Sequence, residues 1–252
     1  MQDERAVFQN RLRDLAKRSY AQNIYTFTEF LTLEEQSLAL GMERELGYAG
    51  VSFFGGMPDA ERRMIRFGSP DAFGYEEEFP IACMRITPVS EKFADALNHR
   101  DYLGALMHQG IERSVLGDIL MRDMCAYVFC TDTIVGYLTE HVTRIRHTNV
   151  LCERMKEFPA ESPADLKRIE CIVPSLRCDV LIAKVFHLSR SAGAELFRAQ
   201  KVFVNGRQVI NGGTTLKEED RVSVRGYGKF ICRGTVRMTK KGNLRVAIDL
   251  YV

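Results

Sequence analysis

SLRCDVLIAKVFHLSRSAGAELFRAQKVFVNGRQVINGGTTLKEEDRVSVRGYG, residues 175–228, decides how the C-terminal part of this chain folds. The apolar stretch 180–186 predicts a first short helix, and Ser189 follows it. Serine is a good N-cap because its hydroxyl accepts a bond from an orphan backbone N–H, so a second helix is predicted over 190–198. Ala194 and Phe197 are placed towards a core in that helix, while Arg190, Ser191 and Arg198 fall elsewhere. A bare helix start offers unpaired N–H groups and a partial positive charge, which suit a phosphate. Residues 202–204 then read as a strand, Asn205-Gly206 as a tight hairpin turn and 207–210 as its return. Residues 220–225 alternate apolar and polar, as a strand with one wet face does.

Charge points the same way. Residues 175–252 hold 15 Lys and Arg against 6 Asp and Glu, a balance of +9. From chain totals of 35 and 33, that leaves 20 against 27 over 1–174, a balance of −7. The formal total of +2 therefore conceals a two-signed molecule. A basic module on an acidic body is the electrostatic footprint of a polyanion binder, although a basic run alone is more often just a solvated face.

The 252 residues, 46% hydrophobic, are enough to bury more than one small core, so two or three domains are expected. The start, Met1-Gln2-Asp3-Glu4-Arg5, has no apolar signal region, and no apolar run approaches membrane-spanning length. Seven scattered cysteines without C-x-x-C spacing read as reduced, mostly buried thiols of a cytoplasmic protein. Cys125 and Cys130 are the nearest pair, but His and Cys partners at metal-ligand spacing are missing, so no metal or other cofactor is expected.

Upstream, 4–20 reads as a surface helix with Val7, Leu12 and Leu15 as its apolar positions. A second helix is predicted from Thr32, where Thr32 and Glu35 fit a capping box, to Gly47. Strands at 50–54 and 63–67 flank a Gly-Gly-Met-Pro-Asp loop. The central block reads strand 81–86, helix 90–109, strands 118–121 and 126–130, helix 133–146 and strand 149–154. That order, β-α-β-β-α-β, is the ferredoxin-like plan of many RNA-recognition domains. Its third strand carries Tyr127 and Phe129 in a faint echo of a base-stacking motif, but core packing is the better reading of both rings. The expected class is α+β: an N-terminal helical part with a hairpin over 1–78, a ferredoxin-like domain over 79–156, a linker over 157–174 and a C-terminal domain over 175–252.

Helix, helix, hairpin and strand with basic residues along one side make 175–252 resemble the S-four RNA-binding domain. What that resemblance implies is RNA contact around the start of the second helix and the hairpin. On this chain those positions are Arg177, Ser189, Arg190, Ser191, Arg198, Lys201 and Arg207, with Arg225 and Lys229 nearby. Two departures stand out: Gln200 where a Gly commonly ends the recognition helix, and Cys178 where the common pattern is Arg-Leu-Asp. Asp179 is expected to cap or orient the first helix.

The run His99-Arg100-Asp101-Tyr102-Leu103-Gly104, continuing through Gly110-Ile111 to Gly117-Asp118-Ile119, resembles the YlmH family of bacterial RNA-binding proteins over nearly the whole chain. The resemblance implies a non-catalytic factor that associates with ribosomal RNA on the large ribosomal subunit, acts in quality control of stalled nascent chains and engages peptidyl-tRNA. It is expected to work as a monomer, in the cytoplasm, away from membranes. Two other classes stay open: an RNA-modifying enzyme of pseudouridine synthase or methyltransferase type, and a cell-division interaction factor. The enzyme reading lacks a catalytic Asp in a synthase motif or a Gly-rich cofactor loop. His99-Arg100-Asp101 spells part of a kinase catalytic loop, but no phosphate loop or Asp-Phe-Gly accompanies it. Gly226-Tyr227-Gly228-Lys229 is too short for a nucleotide loop.

Overall fold

The computed structural model describes residues 2–122, 124–157, 166–240 and 242–251. They fall into two compact units, whose described parts run to Glu157 and begin again at Leu166. Helices and sheets both contribute, giving the α+β class expected.

In the first unit α1 (Gln2–Gln22) buries Leu12 and Ala16 against Leu31, Ala39, Leu46, Ile65 and Phe67. After β1 (Thr26–Phe27) comes α2 (Leu33–Gly41), whose start is the expected capping box. The Thr32 hydroxyl accepts from the Glu35 N–H at 3.3 Å, and the Glu35 carboxylate accepts from the Thr32 N–H at 2.7 Å. The helix breaks at Met42 into α3 (Glu43–Leu46) and a single tight turn. The chain continues as β2 (Val51–Phe54) and β3 (Met64–Phe67), which pair antiparallel and join β1 in a sheet of order β1-β3-β2. A short α4 (Pro70–Phe73), capped by Ser69, leads onward.

The central segment follows as β4 (Ile81–Pro88), α5 (His99–Met107), β5 (Leu116–Arg122), β6 (Cys125–Thr131), α6 (Asp132–His141), β7 (Arg144–Ile145) and β8 (Thr148–Arg154). The antiparallel sheet has the order β5-β6-β4-β8-β7, so the first and third strands of the β-α-β-β-α-β series lie side by side inside it. Both helices press one face: Tyr102 and Leu106 of α5 and Val135 and Leu138 of α6 bury against Met84, Ile86, Ala126 and Val128. Each helix is shorter than its apolar periodicity predicts. α5 begins at His99 because Asn98 caps it, its side-chain oxygen accepting from the Arg100 N–H at 2.9 Å while Asp101 reaches back to the Asn98 N–H at 2.9 Å. α6 stops at Val142, and the residues expected to extend it turn through Arg146 (φ 51°) into the β7–β8 hairpin.

The opposite sheet face is also closed. Ile81, Cys83 and Phe129 bury against Phe30 and Met64 from the N-terminal segment. Gly56 lies so close to the Phe129 ring that a Cβ there would come within 2.2 Å of it. The expected border between 78 and 79 therefore falls inside one unit with a shared core.

The second unit is β9 (Leu166–Val173), α7 (Cys178–Val185), α8 (Arg190–Arg198), β10 (Val202–Val204), β11 (Arg207–Gln208), β12 (Arg221–Val224), β13 (Gly228–Met238) and β14 (Leu244–Tyr251). The expected element order over 175–225 is present, and Asn205 (φ 51°) and Gly206 (φ 78°) supply the two positive φ angles of a tight hairpin turn. The sheet order is β11-β10-β12-β13-β14-β9. Of the linker expected over 157–174, with a short strand leading into 171–173, residues 158–165 lie outside the described residues; from 166 to 173 the chain is one strand, longer than expected, paired along β14 from Leu166↔Tyr251 to Val173↔Leu244. Cys171 and Val173 face the helices, Arg168 and Glu170 lie on the outer face, and the outward-facing apolar Ile172 interrupts the alternation in the sequence. On that outer face the largely buried Asp249 accepts two bonds from Arg168, at 2.7 and 2.9 Å, and one from Arg233 at 2.7 Å.

Candidate nucleic-acid interface

The basic positions of the second unit are shared between its helix pair and the sheet that follows. Leu181, Ile182 and Val185 of α7 and Leu196 and Phe197 of α8 enter the core, which turns the polar sides of both helices outward. Ala194, expected in the core, is exposed; Gly193 is buried in its place, lying against Ala183 of α7. The start of α7 is tied to a neighbouring loop, with the Cys178 and Asp179 N–H groups donating to the carbonyls of Thr214 and Gly212. Cys178 is fully buried, so the apolar role usual at that position is kept.

At the start of α8 the Ser189 hydroxyl accepts from the Ala192 N–H at 3.1 Å and lies 3.0 Å from the Ser191 hydroxyl. Arg190 and Ser191 are exposed beside them. Arg177, at the cap of α7, is held by Asp179 through two bonds, which keeps that carboxyl below its ordinary range and raises the guanidinium. Arg177 and Arg190 line one groove, of about 560 Å³, together with Lys184 of α7. Lys184 is a cation the sequence reading missed; its signal was a single charge interrupting the apolar stretch 180–186.

The far end of α8 forms a second group. The Gln200 N–H donates to the Phe197 carbonyl at 3.0 Å and the Lys201 N–H to the Leu196 carbonyl at 2.9 Å, with Gln200 itself left-handed at φ 56°. This is the closure that Gly commonly makes at a helix end, here built on Gln. It sends Lys201 to the sheet, where its carbonyl accepts from the Arg225 N–H at 3.0 Å. The Arg225 guanidinium sits 5.2 Å from the centre of the Phe203 ring. Arg198 is exposed and 3.3 Å from Glu195, a surface pair of small energetic weight. Arg207 stands opposite Val204 in the hairpin, and Lys229 opposite Ser223 in the next strand pair.

The nine positions thus divide into a group by the start of α8, with Arg190 and Arg177 in the groove and Ser189 and Ser191 beside Arg190, and a group from the far end of α8 into the sheet, with Arg198, Lys201, Arg207, Arg225 and Lys229. The nine residues of α8 set the two roughly 13 Å apart.

In the first unit the residues that echoed a stacking motif separate. Phe129 is fully buried under the N-terminal segment, while Tyr127 is half-buried with the Arg122 guanidinium 5.9 Å from its ring centre. Asp101 of the His99-Arg100-Asp101 run accepts from the Asn98 N–H in the helix cap and pairs with Arg146 at 2.7 Å, a structural role for that carboxylate.

Against known proteins, residues 75–158 match the family model described as "Putative RNA-binding domain in YlmH". The central segment is similar to that domain. The resemblance to the YlmH family seen in the sequence holds. The chain is also 27% identical to "Ribosome-associated protein quality control protein P2" of Bacillus subtilis (strain 168), covering 98% of this chain and 95% of that protein. The solved structure of "Cell division protein ylmH from Streptococcus pneumoniae" is 20% identical, with a TM-score of 0.48 over 60% of this chain and 91% of that one. The matched stretch comprises the five-stranded sheet with α5 and α6, and one of its sheet faces is covered in part by residues that precede the match.

Proposed function

We propose that this protein is a non-catalytic RNA-binding factor that works on the ribosome. In this reading it contacts ribosomal RNA of the large subunit, engages peptidyl-tRNA and serves quality control of stalled nascent chains. It acts in the cytoplasm as a monomer and needs no cofactor. The observation that carries the reading is the similarity to a ribosome-associated quality-control protein over 98% of the chain, which takes in both units rather than one shared module.

The two basic groups, to which α8 contributes Arg190 and Arg198, supply the electrostatic part, because phosphate contacts by Arg and Lys dominate affinity for RNA. Arg177, Ser189, Arg190, Ser191, Arg198, Lys201, Arg207, Arg225 and Lys229 are proposed as the contact set. The non-catalytic reading is supported by the thiols: Cys83, Cys130, Cys152 and Cys178 are pushed up to about 12 by burial, far from the range of a working nucleophile. No helix among the described residues is long and apolar enough to cross a membrane.

The test is sedimentation of the tagged protein through a sucrose gradient from cells with stalled translation, followed by cryo-EM of the co-migrating particles. The expected result is density for the protein on large subunits. Recovery in free fractions alone, under stalling, defeats the proposal.

A further inference from the structure

The groove beside α8 has more structure than phosphate binding requires. Its basic members are Arg177, Lys184 and Arg190, but its lip and walls are apolar, with Ile172 and Pro174 from the end of β9 and Leu188 from the α7–α8 turn. Ile172 is 46% exposed and lines the groove with the three cations. The volume of about 560 Å³ lies inside the roughly 300–1,000 Å³ of small-ligand pockets.

We infer that this groove takes the base of a single nucleotide extruded from a bulge or loop of RNA, with Lys184 and Arg190 holding the phosphates on either side of it. The inference rests on the RNA-binding reading and specifies what that surface recognises. A uniform duplex shows side chains its phosphates and riboses and keeps its bases stacked, so an apolar cleft adds nothing to binding it. Unstacked bases are the part of RNA that seeks apolar walls and flat guanidinium planes. Arg177 provides such a plane: its two bonds to Asp179, at 3.1 and 2.7 Å, fix the guanidinium and largely cancel its charge. The net positive charge of the groove then lies with Lys184 and Arg190, where it meets phosphate.

The experiment compares two fluorescent RNA hairpins of equal stem length by anisotropy titration of the full-length protein. One is fully paired and one carries a single bulged purine. The wild type is expected to bind the bulged hairpin roughly tenfold more tightly. Ser175→Trp, an uncharged change at the groove wall, is expected to abolish that preference while leaving affinity for the paired hairpin as it was. Should Ser175→Trp not fold, Lys184→Ala, at an exposed helix position, serves instead and reduces affinity for the bulged hairpin more than for the paired one. Equal wild-type affinity for both hairpins overturns the groove assignment and leaves RNA binding standing. Absence of salt-dependent binding to either hairpin overturns the RNA-binding reading itself.

Discussion

Arg177 clasps Asp179 two residues further on, Nε donating to Oδ1 at 3.1 Å and a terminal nitrogen to Oδ2 at 2.7 Å. The carboxylate also accepts from the Val180 N–H at 2.8 Å, so it anchors the arginine to the first turn of α7. An acidic group this close to a phosphate path opposes binding. Asp179→Asn is expected to tighten RNA binding by roughly two- to fivefold, the scale of one surface charge interaction, in a filter-binding titration. Weaker binding by the variant would show that holding Arg177 in place outweighs removal of the charge.

Arg190 and Arg198 stand at the two ends of α8, one in each basic group. The double variant Arg190→Ala, Arg198→Ala is expected to lose affinity for all RNA sequences alike. The slope of log K against log salt should become shallower by about 1.4–1.8, the value for two phosphate contacts. An unchanged slope would place both side chains away from the RNA.

Gln200 holds a left-handed conformation (φ 56°) that costs an L-residue with a Cβ roughly 1–2 kcal/mol. Its carbonyl accepts from the Gln208 side chain at 3.0 Å, a bond that any residue at this position would keep. Gln200→Gly is therefore expected to stabilise the second unit by about 1 kcal/mol, seen as a higher urea midpoint by far-ultraviolet circular dichroism. A lower midpoint would mean that the Gln side chain contributes more than the strain removes.

Gly56 (φ 93°) and Phe129 meet at the seal between the N-terminal segment and the central sheet. Gly56→Ala places a methyl within 2.2 Å of a fully buried ring and adds backbone strain, so it should strongly destabilise the first unit. Phe129→Ala should cost about 3–5 kcal/mol through the cavity it leaves. Thermal unfolding of each variant checks both, and a wild-type melting temperature for either would refute the seal.

Asp249 is pulled down to about 2 by its bonds to Arg168 and Arg233, against burial that acts the other way. A carboxyl held lower in the folded than in the unfolded chain stabilises the fold above its ordinary range near 3.8, and that contribution disappears as pH falls from there towards 2. Asp249→Asn is expected to lower stability at neutral pH, with the gap to wild type closing between about pH 4 and 2 in urea titrations. A gap that stays constant across this window would exclude the ionic contribution.

Local signals were enough for much of this fold. The Thr32–Glu35 capping box, the Asn205-Gly206 turn and the β-α-β-β-α-β order each follow from residues within a few positions of one another. The helices of the central domain were over-extended because apolar periodicity ran past Asn98 and His141, where a cap and a turn end them. The full length of β9 is not legible locally: the prolines and charges before Cys171 suit a linker, and its outward residues Arg168 and Glu170 find partners in Asp249 and Arg245, about 80 residues away in sequence. The site divides along the same line. Arg190 and Arg198 are visible on one short helix, whereas the groove needs Ile172 and Pro174 beside Leu188 and Arg190, and only the strand pairing of β9 with β14 brings them there.

The seal at Phe129 also bears on how this kind of protein can be taken apart, in the laboratory or by recombination of genes. Residues 75–158 are recognisable as a domain, yet expressed alone they would present Ile81, Cys83 and Phe129 to water as a sticky plate without Phe30 and Met64 to shield it. Such a fragment would be prone to self-associate, and a failed assay on it would say nothing about RNA. The stretch that can travel between proteins as an intact module begins with α1, well before the point where sequence comparison first recognises it.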